Sequence, residues 1–317
     1  MHCTRRTNPL EPQPPPPGSS QISWSQTSKP ATPSIEALLT DRKGRIFAAT
    51  EGLGVLLSTN NGLNWEFYNS GLADSVIYSL CEDSAGNVYA GTAGQGLFQL
   101  PAEGQTWSPI PLADSTVWEV QTSPGGDLFV STTEYLYRRG HGQTQWQTLN
   151  TGLSDRPIIT LLFASPNLIL AGTYARGIIT STDNGNSWQQ NVISGVSIIS
   201  LGQSATGTIL AGTRSQGGFI SEDSGESWRN LENGFGSSGY QFIRNRYGVM
   251  FCADYYEGVY RSVDDGLSWE KVNDHLSDIA VFSLTFDAEG YLIAGTANGQ
   301  IFRTTHTIGP YSPPTVP

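Results

Sequence analysis

Positive charge is scarce in this chain. Its 317 residues carry 17 Lys and Arg against 28 Asp and Glu, for a net charge of −11, and only 14% of residues are charged. A nucleic-acid surface needs clustered Lys and Arg, so that class of partner is excluded. Cysteine and histidine are equally thin. Cys3, Cys81 and Cys252 form no Cys-x-x-Cys pair, and His2, His141, His275 and His306 stand far apart, so neither a metal site nor a cofactor is expected. Cys81 and Cys252 lie in apolar strand patterns and are expected as buried free thiols. No run of about 20 apolar residues occurs, which predicts no membrane span. The N-terminus lacks the apolar core of a signal peptide, so a signal, if used, is removed or lies outside this chain.

What the chain has in quantity is glycine (36), proline (18), tyrosine (13) and tryptophan (8). That composition suits many short strands joined by tight turns. One pattern organises the rest. Ser181-Thr-Asp183-Asn-Gly185-Asn-Ser-Trp188 recurs at Ser221, Asp223, Gly225 and Trp228, and again at Ser262, Asp264, Gly266 and Trp269. An earlier copy holds Ser58, Gly62 and Trp65, with Asn60 in the aspartate's place. Asp or Asn two residues before Gly is turn chemistry: the short side chain bonds nearby backbone and Gly takes φ > 0 cheaply. Apolar residues flank each copy, so each reads as a β-hairpin whose second strand begins at the Trp.

The Trp residues at 24, 65, 107, 146, 188, 228 and 269 are spaced by 41, 42, 39, 42, 40 and 41, with Trp118 alone outside the series. A period of about 41 with several short strands per repeat matches one blade of a β-propeller. The second repeat parses as Val76–Leu80, Val88–Thr92, Gly96–Leu100 and Thr106–Ile110. Its second strand recurs as Ala-Gly-Thr at 90–92, 171–173, 211–213 and 294–296, where small residues suit close backbone approach. The last repeat lacks a fourth strand, and Gln21–Gln26 is an orphan that would complete it. The expected fold is therefore all-β: a seven-bladed propeller of four-stranded antiparallel blades over 21–305, closed by the N-terminal strand. A disordered Pro-rich linker (1–20) precedes it and a Pro-rich tail (306–317) follows.

The Ser-x-Asp-x-Gly-x-x-Trp copies resemble the Asp-box, or BNR, repeat of sialidase-like propellers, over roughly residues 21–305. The short, even repeats are most similar to photosystem II assembly-factor propellers and exported bacterial relatives. The resemblance implies that the box lies opposite the usual ligand face and that its Asp and Trp residues are structural. It also implies an extracytoplasmic location. A sialidase-like hydrolase would need three Arg, a Tyr nucleophile, a Glu and an Asp acid. The family's Arg-Ile-Pro motif is missing, its nearest string being Arg45-Ile-Phe47.

The search for a site thus moves to the loops between the second and third strands, and between one blade and the next. There blades 4 to 6 concentrate Arg156, Tyr174, Arg176, Arg214, Tyr240, Tyr255, Tyr256 and Glu257. Arg beside Tyr is hot-spot chemistry for carboxylates, sugars or peptides. The reading is a monomeric, non-catalytic module binding a protein or carbohydrate, with a sialidase- or xyloglucanase-type glycoside hydrolase as the alternative.

Overall fold

The computed structural model describes residues 22–152, 157–190, 193–232 and 234–310. The described residues form seven four-stranded antiparallel sheets. A short strand, β1 (Trp24–Gln26), comes first. Blade 1 holds β2 (Ile35–Thr40), β3 (Ile46–Thr50), β4 (Val55–Ser58) and β5 (Glu66–Phe67). Blade 2 holds β6 (Ile77–Glu82), β7 (Val88–Thr92), β8 (Leu97–Leu100) and β9 (Ser108–Ile110). Blade 3 holds β10 (Val117–Thr122), β11 (Leu128–Thr132), β12 (Leu136–Arg139) and β13 (Gln147–Leu149). Blade 4 holds β14 (Ile158–Ser165), β15 (Leu168–Thr173), β16 (Gly177–Ser181) and β17 (Gln189–Gln190). Blade 5 holds β18 (Ile198–Gln203), β19 (Ile209–Thr213), β20 (Gly218–Ser221) and β21 (Arg229–Asn230). Blade 6 holds β22 (Gln241–Arg244), β23 (Met250–Asp254), β24 (Gly258–Ser262) and β25 (Glu270–Lys271). Blade 7 holds β26 (Val281–Phe286), β27 (Leu292–Thr296) and β28 (Ile301–Thr304), and β1 pairs with β28 as its fourth strand.

The first strand of every blade contacts the first strands of its neighbours, so these seven strands surround the axis. The second strands are buried at nearly every position, because each is covered on both faces by adjoining blades. This explains their continuous small or apolar character. Each periodic Trp packs on the preceding blade: Trp65 on Ile293 and Ile301, Trp107 on Phe47 and Leu57, and Trp269 on Leu210 and Ile220. The Trp residues thus fill the seams between blades; six stand one residue before the outer strand rather than beginning it, and Trp24 begins β1.

The repeated turn is closed by its own side chains. Ser181 Oγ donates to Asp183 Oδ1 (2.8 Å), Ser187 N–H donates to the same oxygen (2.8 Å), and Gly185 N–H donates to Ser181 Oγ (2.8 Å). Trp188 Nε1 donates to Gly185 O (2.9 Å). The copies at Ser221–Trp228 and Ser262–Trp269 repeat these bonds. In the first copy Asn60 Oδ1 accepts from Asn64 N–H (3.0 Å) and Ser58 Oγ donates to it (3.0 Å), so an amide serves the same turn. Donation from Ser187 and Ser227 holds the Asp183 and Asp223 carboxyls down to about 2.

The expected C-terminal tail begins against the propeller. Ile308 packs on the blade 6–7 core, its N–H donating to Gly290 O (2.8 Å), so the start of the expected tail is docked. An apolar side chain over an apolar cluster accounts for this. Cys81 and Cys252 are buried free thiols, whereas Cys3 and the 1–20 linker lie outside the described residues.

Candidate functional site

The Ser-x-Asp-x-Gly-x-x-Trp turns occupy one end of the ring, and the other end is built from loops stitched together. The residue closing each second strand clamps the loop that follows. Thr50, Thr92, Thr173 and Thr213 donate through Oγ1 to the carbonyls of Gly54, Gly96, Gly177 and Gly217 at 2.7–2.9 Å. In blade 6 Asp254 replaces the Thr and accepts from the N–H groups of Ser238, Tyr256 and Glu257. The loops also join blades: Gly54, Gly96, Gly177 and Gly217 N–H donate to Ser75, Ser115, Val196 and Ser237 O. These bonds tie the described loops of this face to the strands and to one another before any ligand arrives.

At the same end, six of the seven innermost strands carry a β-bulge one residue into the strand. A bulge opposes two residues to one and re-aims a side chain. The re-aimed residues are Glu36, Tyr78, Trp118, Ile159, Ile199 and Phe282, and Tyr240 takes the equivalent place just before β22. All seven line the mouth of a central cavity of about 660 Å³, within the range of ligand pockets. Tyr78 and Trp118 stack in parallel, with centroids 5.0 Å apart and planes 3° apart. Across the ring order, Phe282 stacks on Tyr240 (4.8 Å) and on Tyr255 (5.5 Å).

The next residue along each strand makes a second ring, polar at six of its seven places: Ala37, Ser79, Glu119, Thr160, Ser200, Gln241 and Ser283. Gln241 Oε1 accepts from Leu284 N–H of the following blade (2.5 Å), and the Glu119 carboxyl takes the matching bond from Leu161 N–H. Burial pushes Glu119 up to about 8 despite that bond. A raised acid pKa means the folded state holds the proton. The resulting loss of stability sets in above the unfolded value near ~4.3 and is complete above about 8. Glu119→Gln keeps the acceptor, as Gln241 does in blade 6. Its unfolding free energy should match wild type near pH 4.5 and exceed it increasingly up to pH 8, by no more than about 1.4 kcal/mol per pH unit, with a melting temperature that rises in step. Parallel melting curves for the two proteins across that range would refute the assignment.

Of the residues singled out from sequence, the structure brings Arg214, Tyr240 and Tyr255 to the mouth. Arg214 lines the cavity and donates to Tyr240. Burial raises the Tyr240 phenol, and Arg214 moderates the rise. Tyr256 meets Tyr255 edge-on (4.9 Å) and is exposed. Tyr174 and Arg176 are exposed on the blade 4 loop, and Arg156 lies outside the described residues. Glu257 turns away: its carboxylate accepts from Tyr260 Oη and pairs with Lys271 on outer strand β25. Tyr255 and Glu257, two positions apart in the sequence, thus face different neighbours. Sequence reasoning missed Glu36, Tyr78, Trp118 and Phe282. Trp118 carried a signal, as the single Trp off the 41-residue period.

A family profile described as "two component regulator propeller" matches residues 71–94, the first two strands of blade 2 and their flanks. No curated protein matches the sequence. Solved structures share the fold. The extracellular domain of a putative hybrid two-component system from B. thetaiotaomicron is 17% identical with a TM-score of 0.71, covering 90% of this chain and 42% of that one. The chain therefore spans less than half of that regulator domain. Virginiamycin B lyase from Staphylococcus aureus, catalytically inactive and with quinupristin, is 10% identical with a TM-score of 0.75, covering 90% and 99%. YCF48 from Cyanidioschyzon merolae is 16% identical with a TM-score of 0.68, covering 90% and 98%, and YCF48 is also known bound to a D1 peptide.

Proposed function

We propose that this chain is a non-catalytic binding propeller whose ligand seat is the tunnel mouth, and that it reads a protein segment outside the cytoplasm. The observation that carries the reading is the bulge repeated around the ring. It delivers Tyr78, Trp118 and Phe282 to one concave rim, where Tyr240 joins them, on a scaffold with stitched loops. Aromatic rings with two side-chain torsions give contact area at little entropic cost, and Arg214 adds a fork for carboxylate or backbone acceptors. The likeness to a peptide-binding propeller and to extracellular regulator domains, together with the Asp-box character of the turns, supports the same reading.

The test is selection of 12-residue peptides from a random displayed library on the immobilised protein. Selected peptides should bind Trp118→Ala/Arg214→Ala at least tenfold more weakly, while its melting temperature stays within about 2 °C of wild type, since both side chains are part-exposed. Unchanged affinity in that variant would remove the mouth as the seat.

A further inference from the structure

The rim is not electrically uniform. Arg214 stands on the blade 5–6 side. On the blade 1–2 side, Glu36 projects from the bulge of β2, and Glu51 follows Thr50, the residue paired with Ile35. A backbone bridge between Glu51 and Val76 sets that glutamate beside the start of β6, two residues from Tyr78. Asp74 adds a third carboxylate, its oxygens accepting from Val76 and Gly94 N–H. Burial and the nearby Glu51 raise the Glu36 carboxyl, while burial and then Glu51, Glu36 and Asp74 raise the Tyr78 phenol, as close negative charge requires.

Among the described residues, no ion pair involves Glu36, Glu51 or Asp74. Clustered carboxylates with no cation of their own repel one another, and an aromatic stack beside them presents a negative π-face. The parallel Tyr78–Trp118 stack lines the same cavity as Glu36, so a flat aromatic surface and the carboxylates share one side of the mouth. No three His, Cys, Asp or Glu among the described residues converge tightly enough to hold a metal ion. The missing positive charge is thus better matched by a larger, diffuse cation than by a point ion.

We infer that the Glu36–Glu51–Tyr78–Trp118 side of the mouth is a receptor for an organic cation, an ammonium or guanidinium group carried by the ligand. The inference rests on the mouth being the ligand seat. The cation lies over the Tyr78–Trp118 stack with Glu36 and Glu51 as counter-charges. A peptide would enter with a Lys, Arg or terminal amine on this side and a carboxylate or backbone carbonyl toward Arg214.

The test uses the full chain labelled with 5-fluorotryptophan, the Trp118 resonance being assigned by its absence from Trp118→Phe. Four probes are titrated: Nα-acetyl-lysine methylamide, Nα-acetyl-arginine methylamide, tetramethylammonium chloride and Nα-acetyl-norleucine methylamide. The Trp118 resonance should shift saturably with at least one of the three cations, at least tenfold more tightly than with norleucine. That preference should vanish in Glu36→Gln/Glu51→Gln. Response to tetramethylammonium alone would assign the site to free quaternary amines, and response to the lysine or arginine derivative to peptide side chains. Equal response to norleucine, or an unchanged preference in the double variant, overturns the cation receptor while leaving the mouth as a seat. If calcium chloride alone moves the resonance, the organic class is wrong. No response of Trp118 to any probe, or to a library-selected peptide, overturns the seat itself.

Discussion

Trp24→Ala should lower the unfolding free energy by about 3–5 kcal/mol, the cost of deleting a fully packed Trp. Trp24 is 2% exposed and packs with Phe251, Val259 and Phe302, so it bridges blades 6 and 7. Its indole N–H donates to Val272 O (2.6 Å), an acceptor that alanine would leave buried without that bond. It also anchors β1, whose register sets Trp24 opposite Thr304 and Gln26 opposite Phe302. Losing β1 would uncover the β28 edge, a template for pairing with other chains. Deletion through Ser28 should therefore give aggregation on gel filtration, beyond the stability loss that urea unfolding reads for Trp24→Ala. Trp118→Ala is the control: a mouth residue removed from the core should cost little. Comparable losses at Trp24 and Trp118 would contradict the closure account.

Gly212→Ala should be the most damaging alanine in the Ala-Gly-Thr series. A Cβ there would lie 2.0 Å from Gly239 O and 2.4 Å from Ser200 Oγ, and the Ser200 hydroxyl already donates to that carbonyl (2.6 Å). Backbone must move, so the cost is expected at or above the ~3 kcal/mol upper range for overpacked cores. Gly91→Ala meets only side chains, Ser79 Oγ and a Val117 methyl, each at 2.6 Å, and these can give. Ala49 and Ala253 occupy the equivalent places in blades 1 and 6, so alanine is barred by the neighbour and not by the strand. Urea midpoints should rank Gly212→Ala well below Gly91→Ala, and the reverse order would refute the close inter-blade contact.

These two sites show why the fold was readable. The turn, the Trp and the Ala-Gly-Thr strand recur in every well-kept blade because each answers a local requirement, so their spacing counts the blades. Even the divergent blades kept the logic: Asp254 accepts the loop N–H groups where other blades use Thr. The site was harder to read because its residues share a place and not a chemistry. The mouth column runs Glu36, Tyr78, Trp118, Ile159, Ile199, Tyr240 and Phe282, with no fixed residue to mark it. Its members meet only when the ring closes, as the stack of Tyr78 on Trp118, 40 positions apart, illustrates. Loop residues were easier to find but harder to aim. Arg214 and Tyr255 reach the mouth, whereas Glu257, two positions after Tyr255, is drawn outward by Tyr260 and Lys271.

The most direct measurement is a crystal structure of the protein with the tightest peptide from the displayed library. The account predicts peptide density across the mouth, between the Tyr78–Trp118 stack and the Tyr240–Phe282 stack. Density instead on the face of the Ser-x-Asp-x-Gly-x-x-Trp turns, with the mouth unoccupied, would contradict it.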